Sequence, residues 1–132
     1  ENYTPTNSRS QLIIKDSNHI ILDAYNANPS SMYLAIENFA KLDAENKILI
    51  LGAMAEMGQE SVTEHQQLIE QIKKYNWKNV LLVGKEFLPF EHEFTVFKQS
   101  SEAAAWYKHN QPSNAYILVK GSRSSKMELV IA

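Results

Sequence analysis

Apolar residues follow two patterns along this chain: short continuous runs, and longer stretches in which they recur at helical spacing. Short runs that end at glycine or at turn-forming residues indicate strands, whereas the spacing i, i+3, i+4 indicates amphipathic helices. The predicted strands are residues 12–15, 19–23, 47–51, 80–83, 94–97 and 116–119. The predicted helices begin at Pro29, at the Ser61–Glu64 capping box, at Ser100 or Ser101, and at about Ser124.

From residue 19 onward strands and helices alternate with short connections, which predicts an α/β fold with a mostly parallel sheet covered by helices. The first two strands flank Asp16-Ser17-Asn18, a turn-forming triplet, and are predicted to form an antiparallel hairpin at one edge. A register that pairs Lys15 with His19 brings Arg9 to the same end of the hairpin as Asp23. The run Lys47–Leu51 is apolar without alternation, which is typical of a strand buried on both faces.

Composition limits the possible functions. The 132 residues fit one domain, and the net charge of −2 gives no basic field for nucleic acid. The chain has no cysteine, its histidines do not have metal-ligand spacing, and no apolar run is long enough to cross a membrane. We therefore expect neither a nucleic-acid partner nor a membrane partner, and no metal site within this chain.

The segment from Asp23 to Ser31 carries the strongest functional signal. A strand ends in a carboxylate, and Asn28 and Pro29 then form a favourable helix start as N-cap and first helical residue. Backbone N–H groups at such a start favour an anion. With Arg9 nearby, the carboxylate and guanidinium are consistent either with a nucleotide clamp or with a surface ion pair; spacing alone favours the ion pair.

A second candidate is Lys120-Gly121-Ser122-Arg123, which follows a predicted strand and precedes a helix. Two cations and a hydroxyl suit a carboxylate or phosphate, although a capped helix start with solvated basic residues explains them equally well. The order of residues is not that of a Walker A loop. Glu56, in the loop after residue 51, and His65, on a helix face with apolar residues, each have a simpler structural explanation when taken alone.

Four motifs together give the chain a resemblance to the C-terminal domain of the Mur ligase family, over essentially all 132 residues. The combination of the second and fourth motifs is similar to the branch that adds D-alanyl-D-alanine. The motifs are Tyr3–Asn7 with Arg9–Gln11, Asp23–Met32, Leu51–Gly58 with His65, and Val119–Arg123.

The resemblance implies a Rossmann-like three-layer sandwich at residues 11–132, preceded by an interdomain linker remnant at residues 1–10. It implies a cytoplasmic, monomeric, ATP-dependent ligase that joins D-Ala-D-Ala to UDP-MurNAc-tripeptide through an acyl phosphate in peptidoglycan synthesis. The resemblance also implies two further domains in the same polypeptide. The central one would supply the P-loop and make most of the contacts with ATP and Mg²⁺. This chain would close over ATP and would be inactive alone, with no catalytic residue of its own.

Site roles are carried over by motif position. Residues implied to bind ATP are Arg9, Asp23, Asn26 and Asn28. Residues implied to hold the incoming substrate are Lys120, Ser122 and Arg123. Glu56 and His65 are given supporting roles. One departure is Ala53, which stands where the family loop usually has an aspartate, so any role of that carboxylate is absent.

Two alternatives stay open on the sequence. The chain could belong to another amide ligase of this type, such as another Mur ligase or a folylpolyglutamate synthase, although those relatives differ at Asn26-Ala27-Asn28. It could also be a freestanding, non-catalytic nucleotide-binding module.

Overall fold

A computed structural model describes residues 11–24, 27–55 and 57–131. Its strands and α-helices, in chain order, are β1 (Gln11–Lys15), β2 (Asn18–Asp23), α1 (Pro29–Ala40), β3 (Lys47–Gly52), α2 (Ser61–Lys73), β4 (Asn79–Val83), β5 (Thr95–Phe97), α3 (Ser100–Asn110) and β6 (Tyr116–Lys120). Short 3₁₀ segments lie at Gly58–Glu60, Lys85–Phe87, Arg123–Ser125 and Met127–Ile131.

The strands form one sheet in the order β1-β2-β6-β3-β4-β5, in which β1 and β2 are antiparallel and the other neighbours are parallel. Helices α1 and α2 pack on one face, and α3 with the last 3₁₀ segment packs on the other. The predicted three-layer α/β fold with an antiparallel edge is therefore confirmed. Among the described helices, none is long and apolar enough to cross a membrane.

The position of β3 in the sheet explains why its sequence does not alternate between apolar and polar residues. All six of its residues are buried. Leu49 and Leu51 belong to the core under α1 and α2, whereas Ile48 and Ile50 belong to the core under α3. Both faces of a central parallel strand are covered by helices, so both sets of side chains are apolar.

The predicted register of the hairpin is wrong by one residue. Lys15 pairs with Asn18 rather than with His19, because the turn has two residues and Asp16 adopts a positive φ of 57°. Asn18 belongs to β2, where its buried side chain donates to the Pro112 carbonyl and accepts from the Ala115 N–H. These contacts with the loop before β6 hold Asn18 in the strand, although the local sequence predicts that Asn18 belongs to the turn.

Three predicted helix starts also need correction. Ser61 is the first residue of α2 rather than its N-cap, since a 3₁₀ segment leads directly into the helix. Helix α3 is capped by Gln99, whose N–H donates to the Glu102 carboxylate, and not by Ser100 or Ser101. The expected final helix is two 3₁₀ segments separated by Lys126, which has a positive φ of 54°.

Candidate functional site

The sheet topology places a switch point between the carboxyl ends of β2 and β6. The chain leaves β2 toward α1 on one face and leaves β6 toward the 3₁₀ segments on the opposite face. Ligands of open α/β sheets bind at such a switch point, outside the carboxyl ends of the strands. Asp23 and Lys120 end these two strands and are register partners.

An ion pair joins the two strand ends. The Lys120 Nζ donates to Asp23 Oδ2 at 2.8 Å, with the lysine side chain 3% exposed and the aspartate side chain 21% exposed. Their motif positions predict different ligands for these two residues, whereas the structure brings them together in one site. The signal for this pairing is the strand order, which local sequence does not contain.

The predicted start of α1 is confirmed. Asn28 is the N-cap, and its Oδ1 accepts from the Ser31 N–H at 2.9 Å and from the Ser30 hydroxyl at 3.1 Å. The Ser31 hydroxyl oxygen in turn accepts from the Asn28 N–H, and Pro29 occupies the first helical position. The N-terminus of α1 is therefore capped by its own residues Asn28 and Ser31.

The loop from Lys120 to Arg123 is held against the loop that follows β3. Ser122 is buried, and its hydroxyl lies 3.1 Å from that of Ser125, which itself donates to the Ala53 carbonyl at 3.3 Å. At Gly121, a Cβ would lie 3.0 Å from the Gly52 Cα, so the two loops approach as closely as glycine permits. Arg123 is exposed.

His65 is fully buried and ties α2 to the same loop. Its Nε2 accepts from the Met54 N–H at 3.0 Å, and its Nδ1 lies 2.7 Å from the Ser61 carbonyl oxygen. These bonds assign a neutral imidazole with its hydrogen on Nδ1, because the backbone N–H can only donate and the carbonyl can only accept. The contacts give His65 a supporting function within the fold.

A cleft of about 1190 Å³ lies beyond the ends of β3, β4 and β6. Of the predicted site residues that the structure describes, Ser122 is the one that lines it. Three lysines of its lining are not predictable from the sequence, because single lysines in separate loops have no recognisable spacing. These lysines are Lys85, Lys98 and Lys126.

Three predicted site residues, Arg9, Asn26 and Glu56, lie outside the described residues. The structure therefore does not test whether Arg9 and Asp23 share one end of the hairpin. The hairpin register from which that prediction was made is wrong by one residue. Within the described ranges, no three His, Asp or Glu side chains converge as metal ligands.

Comparison with known proteins identifies the family. A model for "Mur ligase, glutamate ligase domain" matches residues 8–123. The UDP-N-acetylmuramoyl-tripeptide–D-alanyl-D-alanine ligase of Rickettsia prowazekii is 31% identical over 132 residues, covering 96% of this chain and 29% of the relative. The enzyme of that name from Escherichia coli is 34% identical over 120 residues, covering 86% of this chain and 26% of the relative. The chain thus spans about three tenths of the length of the curated relatives it matches.

Solved structures agree. A crystal structure of MurF from Acinetobacter baumannii has a TM-score of 0.82 at 27% identity, covering 97% of this chain and 30% of that one. A folylpolyglutamate synthase/dihydrofolate synthase shares the fold alone, with a TM-score of 0.62 at 13% identity, covering 95% of this chain and 31% of that one. Since the family model covers most of its residues, this chain belongs to the Mur ligase family, as its glutamate ligase domain.

Proposed function

We propose that this chain is the C-terminal domain of an ATP-dependent ligase that adds D-Ala-D-Ala to UDP-MurNAc-tripeptide during peptidoglycan precursor synthesis. The observation that carries the proposal is the match over 96% of the chain to a relative named for that reaction. The switch point between β2 and β6 supports it, because the Asp23 carboxylate ends β2 there and α1 begins a few residues later, at Pro29.

In the proposed reaction, the γ-phosphoryl group of ATP passes to the carboxylate of the tripeptide. The amine of D-Ala-D-Ala then attacks the acyl phosphate, phosphate leaves, and ADP remains. The polypeptide contributes electrostatic stabilisation of the transferring phosphoryl group and holds the amine against the activated carbonyl. The present chain contributes one wall of that site.

ATP is assigned to the switch point at the carboxyl ends of β2 and β6. The Asp23 carboxylate would accept hydrogen bonds from the ribose hydroxyls, and Asn28 would lie beside the nucleotide at the start of α1. Arg9 would approach the phosphates, and Asn26 would complete the turn. A structure of the same fold, MurF from Thermotoga maritima, is a complex with ADP.

The incoming dipeptide is assigned to the loop from Lys120 to Arg123. Its carboxylate suits the exposed Arg123 guanidinium and the Ser122 hydroxyl at the edge of the cleft. His65 supports the neighbouring loop through Met54, and Glu56 belongs to that same loop.

The domain organisation is also a proposal. Residues 1–10 would be the linker to two preceding domains, and residues 11–132 the C-terminal domain. The central domain would bind the ATP phosphates through its P-loop and would hold the Mg²⁺. We propose a cytoplasmic monomer.

Kinetics of the complete product of the parent reading frame test this function. Asp23→Ala and Arg9→Ala should each raise the KM for ATP, because each removes a charge-assisted hydrogen bond of ~1.5–3 kcal/mol. Arg123→Ala should raise the KM for D-Ala-D-Ala instead. The isolated 132 residues should neither hydrolyse ATP nor form a peptide bond.

Unchanged kinetics in Asp23→Ala and Arg9→Ala would exclude the nucleotide clamp. An ATP effect alone in Arg123→Ala would exclude the dipeptide assignment. The reading frame distinguishes the alternatives as well: a P-loop domain upstream supports the ligase, and a start codon at residue 1 supports a freestanding nucleotide-binding module. Substrate competition with glutamate and folate distinguishes a folylpolyglutamate-type ligase.

A further inference from the structure

The position of the Lys120 ammonium group decides what this residue does. Lysine is almost never fully buried unless it is paired, and here the side chain is 3% exposed with Nζ 2.8 Å from Asp23 Oδ2. The bond crosses between the ends of two neighbouring parallel strands. It therefore holds the lysine side chain buried between the two strand ends and not on the exposed part of the loop.

Asp23 is the more accessible partner, at 21% exposure against 3%. A ligand that approaches the ends of β2 and β6 thus meets the carboxylate before it meets the ammonium group. A carboxylate has about four acceptor sites, so one N–H donor leaves others for hydroxyl groups of a ligand. The geometry favours a ligand contact through Asp23 rather than through Lys120.

We propose that Lys120 is a positioning residue for the nucleotide site: it fixes the Asp23 carboxylate in the orientation that accepts the ribose hydroxyls. This inference rests on the proposed function, in which Asp23 binds ATP. It removes Lys120 from the residues that bind the dipeptide and leaves Ser122 and Arg123 in that role. A side chain locked by a buried partner loses less conformational freedom on binding, which is how such support increases affinity.

The experiment is a double-mutant cycle in the complete ligase, with Lys120→Met, Asp23→Ala and the double variant. Lys120→Met should raise the KM for ATP about tenfold, the equivalent of one hydrogen bond of ~1.4 kcal/mol, and leave the KM for D-Ala-D-Ala within about twofold. In the Asp23→Ala background the same change should alter the KM for ATP by less than about twofold, because the carboxylate that Lys120 holds is gone. The matched control is Lys41→Met, at a lysine whose side chain is 71% exposed at the end of α1.

A second variant guards against misfolding. Lys120→Gln retains an N–H donor and should raise the KM for ATP less than Lys120→Met, and circular dichroism confirms the fold of each variant. A raised KM for D-Ala-D-Ala with an unchanged KM for ATP would overturn the inference, as would equal effects of Lys120→Met in the two backgrounds. If the wild-type enzyme is active and its variants show either of these two results, this inference fails and the proposed function stands. A wild-type enzyme without ATP-dependent ligation overturns the proposed function, and this inference with it.

Discussion

His65 joins α2 to the loop after β3, and its replacement by alanine tests how much that connection stabilises the domain. The buried imidazole accepts from the buried Met54 N–H, lies 2.7 Å from the Ser61 carbonyl oxygen, and meets the Phe87 ring edge-on at 5.1 Å between centroids. His65→Ala removes all three contacts at once. The loop concerned lines the cleft, so its stability affects the site as well as the fold.

The magnitude follows from these contacts. A buried N–H left without an acceptor, as at Met54, costs about 1–3 kcal/mol. The volume vacated beside Phe87 adds about 1–2 kcal/mol at ~24 cal/mol per Å³ of cavity. His65→Ala should therefore lower the free energy of unfolding by about 2–5 kcal/mol, a large part of the ~5–15 kcal/mol typical of a domain.

Urea unfolding of the 132-residue chain, followed by far-ultraviolet circular dichroism, measures the effect. The midpoint should fall by about 1–3 M for an m value of ~1.5 kcal/mol per M. His65→Gln should recover about half of the loss, because its side-chain amide oxygen can accept from the Met54 N–H. The control His109→Ala, at an exposed position in the last turn of α3, should stay within about 0.5 kcal/mol of wild type. Equal losses in the alanine and glutamine variants would show that an acceptor for the Met54 N–H does not account for the stability.

Three further predictions concern other parts of the fold. Asn28→Ala should lower the free energy of unfolding by ~1 kcal/mol in the same assay, because α1 loses its N-cap acceptor. Gly121→Ala should lower it by about 1–3 kcal/mol, since the new Cβ would lie 2.6 Å from Met127 Cγ and 3.0 Å from the Gly52 Cα; an unchanged midpoint would contradict that packing. Burial raises the pKa of the Tyr107 phenol, so the folded chain holds this proton more tightly than the unfolded chain. Stability should consequently fall as the pH rises above the ordinary tyrosine value of about 10, and Tyr107→Phe should reduce that fall in thermal melts across the same range.

The sequence predicted the features whose causes are local. The apolar run of β3, the Asn28-Pro29 helix start and the alternation of strands with helices each depend on neighbouring residues, and each is confirmed. The helix starts at Ser61 and Ser100 were predicted less well. A 3₁₀ segment leads directly into α2, so Ser61 is its first helical residue and not its N-cap. In α3 the N-cap is Gln99, one residue before the serine that has the more typical side chain for a cap.

The candidate site likewise has some features with local causes and others that depend on distant contacts. Its motifs are contiguous, so the sequence alone determined the α/β fold class, the family resemblance and the segments that carry the chemistry. Only the tertiary structure decided that Lys120 meets Asp23, 97 positions away, because β6 inserts beside β2 in the sheet. It also decided the hairpin register, since Asn18 is held by the loop before β6 and not by its neighbours in the turn. Contacts between distant strands depend on the order and register of the sheet, and those depend on how the whole core packs.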